Sequence, residues 1–118
     1  MIQREFHRID LASPVRLLLG PQKGIEADCC NISMGGLCVL SEVRLEPGQL
    51  SKIRLPFTFD GKDYTFMSSV KTKWCYRSTT EDGKWEAGLF FYDLTQENKC
   101  LLVMLILQII NGDGEERN

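Results

Sequence analysis

The chain has little of what a metal site, a redox site or a membrane span requires. Its 118 residues include a single histidine, His7, and none of its five cysteines (Cys29, Cys30, Cys38, Cys75, Cys100) forms a C-x-x-C pair. Zinc and dithiol redox centres rely on such spacings, so no metal is expected. Residues 1–8 carry charges with no apolar run behind them, so no secretion signal is expected. The odd set of thiols is therefore read as reduced cysteines in a cytoplasmic protein, several of them filling small core positions. The longest apolar stretch, 101–107 extended by Ile109 and Ile110, is shorter than the roughly 20 residues that cross a bilayer, so membrane insertion is not expected. An excess of charge is also missing: 14 Lys and Arg against 16 Asp and Glu leave a net charge of -2. Coating a nucleic-acid polymer needs a basic surplus, so that function is disfavoured, including a polymer track over Trp74, Tyr76, Lys71, Lys73 and Arg77. Gripping one small anion with a few local arginines is not.

What the sequence does have is alternation. Val15, Leu17 and Leu19 share one parity until Gly20-Pro21 breaks the run. Further strands are expected over 24–32, 37–40 and 52–59, the last with Ile53, Leu55, Phe57 and Phe59 on one face. Asp60-Gly61 is a two-residue hairpin signal. The longest strand then holds Tyr64, Phe66, Ser68, Val70, Thr72, Trp74 and Tyr76 on one parity, against Thr65, Ser69, Lys71, Lys73 and Arg77 on the other. Beyond Asp82-Gly83, Trp85, Ala87, Leu89 and Phe91 continue the pattern. About six antiparallel strands with one apolar face must curl and close to bury that face and protect their edges, so a mainly β fold, a six-stranded antiparallel β-barrel, is expected. Thr95 as a cap, Glu97 in the first turn and Gly112 as a stop define a C-terminal α-helix. The expected organisation is one domain: an N-terminal arm over 1–13, the barrel over 14–94, the helix over 95–111 and a polar tail over 112–118. From Cys100 to Ile110 only Gln108 is strongly polar. A helix so apolar needs cover on more than one side, from the barrel and from a partner protein or a second copy (a homodimer through 100–110).

Two local features carry chemistry. Arg4 and Arg8 stand four apart, just ahead of the first strand, and Asn31-Ile32-Ser33-Met34-Gly35-Gly36 separates the second strand from the third. Singly, each has a plain reading: paired arginines are common on solvated surface, and Asn-x-Ser before Gly-Gly is good turn sequence. Together, in this order and on this strand pattern, they resemble the PilZ domain family, the bacterial receptor module for the second messenger cyclic di-GMP. Arg4 and Arg8 match the family's R-x-x-x-R motif, and Asn31, Ser33 and Gly36 match its [D/N]-x-S-x-x-G motif. Ala87-Gly88-Leu89-Phe90 matches a glycine ahead of an aromatic near the last strand.

The resemblance covers essentially the whole chain. It implies a split-barrel type of fold and a stand-alone signalling receptor or adaptor that binds cyclic di-GMP, with no catalysis and no cofactor. The ligand-binding residues it implies are Arg4, Arg8, Asn31, Ser33 and Gly36, with Gly35, Gln3 and Trp74 as secondary candidates. The chemistry is apt, because arginine's planar fork pairs with phosphate oxygens and with the guanine O6/N7 edge, and also stacks on purines. Asn31 and Ser33 would offer short polar groups to a guanine edge, while Gly35 and Gly36 leave room for the main chain to approach. Trp74 would stack on a base or, sharing parity with Phe66 and Val70, fill the core. Gln3 stands where the resemblance implies an influence on how many ligand molecules bind. Asn31 stands where aspartate is commoner, an amide in place of an acceptor-only carboxylate. The implied mechanism is an arm that orders on the ligand and presents a new surface to an effector protein. An alternative with the same fold is an adaptor that binds protein partners without nucleotide.

Overall fold

The computed structural model describes residues 9–116, with side chains through Asn111. In chain order the elements are β1 (Ile9–Gly20), β2 (Lys23–Ile32), β3 (Gly36–Ser41), β4 (Leu50–Phe59), β5 (Lys62–Arg77), β6 (Trp85–Tyr92) and α1 (Gln96–Glu116). The strands close into a barrel in the order β1-β2-β3-β6-β5-β4, every neighbouring pair antiparallel. Closure puts Val15, Leu17, Ile53, Leu55, Phe66 and Val70 inside. The expected fold class is therefore the observed one.

Local chemistry explains the joints. Asp60 (φ 52°) and Gly61 (φ 78°) both adopt the left-handed region that a two-residue hairpin with right-twisted strands demands, and Phe59 pairs with Lys62 across it. The closing seam is short: β1 meets β4 only through Arg16–Arg54, Leu17–Ile53 and Leu18–Lys52. Carrying that register on brings Pro14 opposite Pro56, two residues with no N–H to give a ladder. At its other end β1 runs into the turn at Pro21.

Three boundaries differ from expectation. β1 begins at Ile9, so residues 9–13 form barrel wall, with Ile9 paired to Ile32 and Asp10 to Asn31. The helix starts as expected, the Asn98 N–H donating to Thr95 Oγ1 at 3.1 Å, but it continues through Gly112 to Glu116. Gly112 and Gly114 each cost the helix about 1 kcal/mol relative to alanine, which weakens its last turns but forbids nothing. The third difference is parity within β5. Phe66, Ser68, Val70 and Thr72 point inward, and then the next buried residue is Cys75. The β5–β6 register slips between Thr72 and Trp74, where Lys73 is the extra residue of a bulge. Trp74 and Tyr76 are thereby turned to the outer face, and Trp74 does not fill the core.

Helix α1 packs against β5, β4 and β1, with Leu102 and Leu105 buried in the common core. No helix among the described residues is long and apolar enough to cross a membrane.

Candidate functional site

The pairing registers lay one row of residues across the outer face of five strands. Asp10 pairs with Asn31, Asn31 with Cys38, Cys38 with Gly88, and Gly88 with Trp74. Two candidate residues that sequence keeps 43 positions apart, Asn31 and Trp74, thus lie on one line. Three strand spacings separate them, about 14 Å. The row narrows further because the Trp74 indole lies on Gly88. A Cβ at position 88 would stand 2.4 Å from Trp74 Cε2 and 2.5 Å from its Nε1, so only glycine lets the ring settle there. Tyr76 stacks beside it, ring centroids 5.6 Å apart at 19°, and is exposed.

The turn between β2 and β3 forms one end of this face. Ser33 is buried, and its hydroxyl works inside the turn: Oγ accepts from the Gly35 N–H at 3.1 Å and donates to the Gly36 carbonyl at 3.4 Å. The Ser33 N–H also donates to the Gly36 carbonyl, at 2.8 Å. The Gly35 carbonyl then accepts from Phe91 N–H at 3.0 Å, tying the turn to β6. Gly36 sits so close to β6 that a Cβ would meet the Leu89 carbonyl oxygen at 2.1 Å. Its glycine is required for backbone packing and not for an unusual φ. Of the sequence-derived candidates, Asn31 and Trp74 are on the outer row, while Ser33 and Gly36 shape its edge. Gln3, Arg4 and Arg8 lie outside the described residues.

Charge is graded across the face. Lys71 pairs with Phe90, which pairs with Gly36, and Lys73 is exposed at the bulge, so cations flank the row on one side. On the other side Tyr76 pairs with Glu86, Glu86 with Leu40, and Leu40 with Asp28. The thiols report this asymmetry. Burial, then the carboxylates of Glu86 and Asp28, push the Cys30 thiol up, with a hydrogen bond to Cys38 pulling the other way. Cys29 points inward and is pushed up to about 12, chiefly by burial. All five cysteines are free thiols, and among the described residues no three of His, Cys, Asp and Glu converge as a metal site. The basic flank at the far rim is engaged elsewhere: the Arg77 and Arg44 guanidinium groups lie 5.2 and 5.8 Å from the Trp85 ring centroid. The sequence pattern groups Lys71 with Trp74 but does not bring Cys38 to this face, because register alone does so.

Solved structures share this fold. The chain is similar to the PilZ domain of YcgR from Escherichia coli with c-di-GMP (TM-score 0.81, 15% identity), covering 98% of this chain and 98% of that one. It is also similar to the Bacillus subtilis inhibitor of motility MotI/DgrA (TM-score 0.77, 15% identity), covering 100% of this chain and 55% of that one. MrkH from K. pneumonia, in complex with c-di-GMP, gives a TM-score of 0.76 at 13% identity, covering 98% of this chain and 56% of that one. The chain thus spans about half the length of the latter two proteins. No curated protein sequence matches it. The PilZ domain model matches residues 2–108, and the chain belongs to the PilZ domain family.

Proposed function

We propose that this chain is a receptor and adaptor for cyclic di-GMP, which it holds across the outer face between Asn31 and Trp74. The observation that carries this reading is the junction of the two motifs: Asp10, two residues after Arg8, pairs with Asn31. An extended chain spans at most ~3.6 Å per residue, so Arg4, five residues before Ile9, has a reach of about 18 Å from the start of β1. That covers the three strand spacings from Asp10 to Gly88, about 14 Å. In this reading Arg4 and Arg8 clamp a phosphate and a guanine edge, and Trp74 stacks a base on the ring face turned away from Gly88. Asn31 meets a guanine edge. Ser33, Gly35 and Gly36 act through the turn, which they hold against β6. The dianion lies toward Lys71 and Lys73, away from Glu86 and Asp28.

Binding orders residues 1–8 over this face and creates a surface for an effector protein. The protein acts in the cytoplasm, by binding and not by catalysis, and Gln3 bears on the number of ligands held. A second copy of the chain is the other partner this reading admits, through α1. Isothermal titration with cyclic di-GMP is the test. Binding heat is expected at tens of micromolar ligand, and Arg8→Ala is expected to remove it while leaving the far-UV circular dichroism unchanged. A wild-type protein that gives no heat overturns the reading and favours the nucleotide-free adaptor, for which the helix would be the working surface.

A further inference from the structure

Two of the five thiols meet on the outer face, in the row that joins Asn31 to Trp74. Along β2 the pairing with β3 passes from Cys29–Val39 straight to Asn31–Cys38, so Cys30 is the extra residue of a bulge and stands beside Asn31 against Cys38. The Cys38 thiol donates a hydrogen bond to the Cys30 sulfur. The other three thiols point elsewhere: Cys29 and Cys75 belong to the core, and Cys100 is on α1. Neighbouring strands stand about 4.7–4.9 Å apart, inside the ~4.4–6.8 Å between Cα atoms that a disulfide spans. The two sulfurs differ in access, since Cys30 is half-buried and Cys38 only 4% exposed. We infer that Cys30 and Cys38 are a modification site, a dithiol that a hydroperoxide converts reversibly into a cross-strand disulfide within the ligand face.

The more open thiol reacts first. The Cys30 thiolate attacks one peroxide oxygen, the O–O bond breaks, and the departing alkoxide takes up the thiol proton as an alcohol, leaving Cys30 a sulfenic acid. The Cys38 sulfur then attacks the Cys30 sulfur: the S–S bond forms, the S–O bond breaks, and hydroxide leaves as water with the Cys38 proton. Two electrons pass from the thiol pair to the peroxide. Burial and the carboxylates of Glu86, Asp28 and Glu81 hold the Cys30 proton, opposed by the hydrogen bond from Cys38, while Lys84 is engaged with Asp28 at 3.9 Å and Glu81 at 3.3 Å. Oxidation is therefore slow at neutral pH and accelerates in alkali. The sulfurs must close from hydrogen-bonding contact to about 2.05 Å, which draws the bulge of β2 onto β3 and moves Asn31, the next residue. The consequence for cyclic di-GMP rests on the receptor reading; the bond itself does not. By linkage, bound nucleotide disfavours the disulfide as much as the disulfide disfavours the nucleotide.

Excess hydrogen peroxide tests the bond, on the full chain without nucleotide and with Cys100→Ser to remove the exposed helix thiol. Of the four thiols that remain, two are expected to disappear and to return with dithiothreitol, faster loss following higher pH, and peptide mapping is expected to find Cys30 joined to Cys38. In the same background Cys38→Ala is expected to stop at the sulfenic acid, which dimedone captures on Cys30, and Cys30→Ser to keep its remaining thiols. Titration with cyclic di-GMP is expected to show the oxidised form binding about 5–150-fold more weakly than the reduced form. A protein that keeps all four thiols, a bond that involves Cys29 or joins two chains, or equal affinity in the two forms would overturn the proposal. A reduced protein that takes no nucleotide overturns the receptor reading instead, and the thiol count then decides the disulfide alone.

Discussion

Replacing Gly36 with alanine is expected to remove a large part of the barrel's stability. The new methyl would stand 2.1 Å from the Leu89 carbonyl oxygen, 2.9 Å from Phe90 Cα and 3.1 Å from Leu89 C, all backbone atoms of β6. Flexible side chains can step aside, but a paired strand cannot. Relief requires the start of β3 to move about 1 Å off β6, an overpacking strain that typically costs ~1–3 kcal/mol. The same movement pulls on the Phe91 N–H to Gly35 carbonyl and Ser33 N–H to Gly36 carbonyl bonds, now 3.0 and 2.8 Å. Each contributes roughly 0.5–1.5 kcal/mol net. The sum is about 2–6 kcal/mol, against a total of roughly 5–15 for a domain of this kind. In urea, at about 1.5 kcal/mol per molar, the midpoint falls by roughly 1–4 M. Gly20→Ala is the control, since nothing lies within 4 Å of its Cβ position and its φ is not positive. It is expected to be neutral or stabilising by up to ~1 kcal/mol. A Gly36→Ala midpoint within about 0.3 M of wild type would refute the close-approach argument.

Two further outcomes are expected. Gly88→Ala displaces the Trp74 indole, at a cost of about 1–3 kcal/mol and a changed near-UV spectrum. It also lowers cyclic di-GMP affinity about 5–150-fold, the value of one stacked base. In a Trp74→Ala background the same substitution should cost little, and equal costs in the two backgrounds would rule out this contact as the cause. The Cys29 thiol, raised from 9.0 to about 12 in the barrel, makes stability fall in alkali. The contribution is complete below pH 9, and as pH climbs from about 9 to 12 the unfolded chain ionises first and stability is lost. At pH 10 the loss is about 1.4 kcal/mol relative to neutral pH. Urea unfolding at pH 7.5 and 10 should show a loss larger by this amount in wild type than in Cys29→Ala; the same loss in both proteins would exclude Cys29.

The strands were legible because alternation is local, and Asp60-Gly61 named its own hairpin. The parity of Trp74 was not. Nothing in Lys71-Thr72-Lys73-Trp74 marks the bulge, which exists only as a slip against β6. Ser33 shows a different limit. A hydroxyl in Asn-x-Ser-x-x-Gly suits a ligand contact or a turn bond equally well, and the choice is made by the Gly35 and Gly36 backbone that folds around it. Gly112 reads as a stop because glycine favours helix ends, a preference of about 1 kcal/mol that α1 overrides. The row from Asp10 to Trp74 was least accessible of all, since it depends on five strands coming together in one register.

The three-pair seam between β1 and β4 has a mechanical corollary. A ring with one short joint behaves as a strip fastened by a clasp. Undoing Arg16–Arg54, Leu17–Ile53 and Leu18–Lys52 leaves the other five ladders standing, and α1, packed on β1 and β4 as well as β5, is the strap across that clasp. In the strand order the clasp is diametrically opposite the β3–β6 joint, where Cys38 meets Gly88. A disturbance of the clasp thus begins at the back of the barrel, three joints away from the β3–β6 pairing that the row from Asn31 to Trp74 crosses.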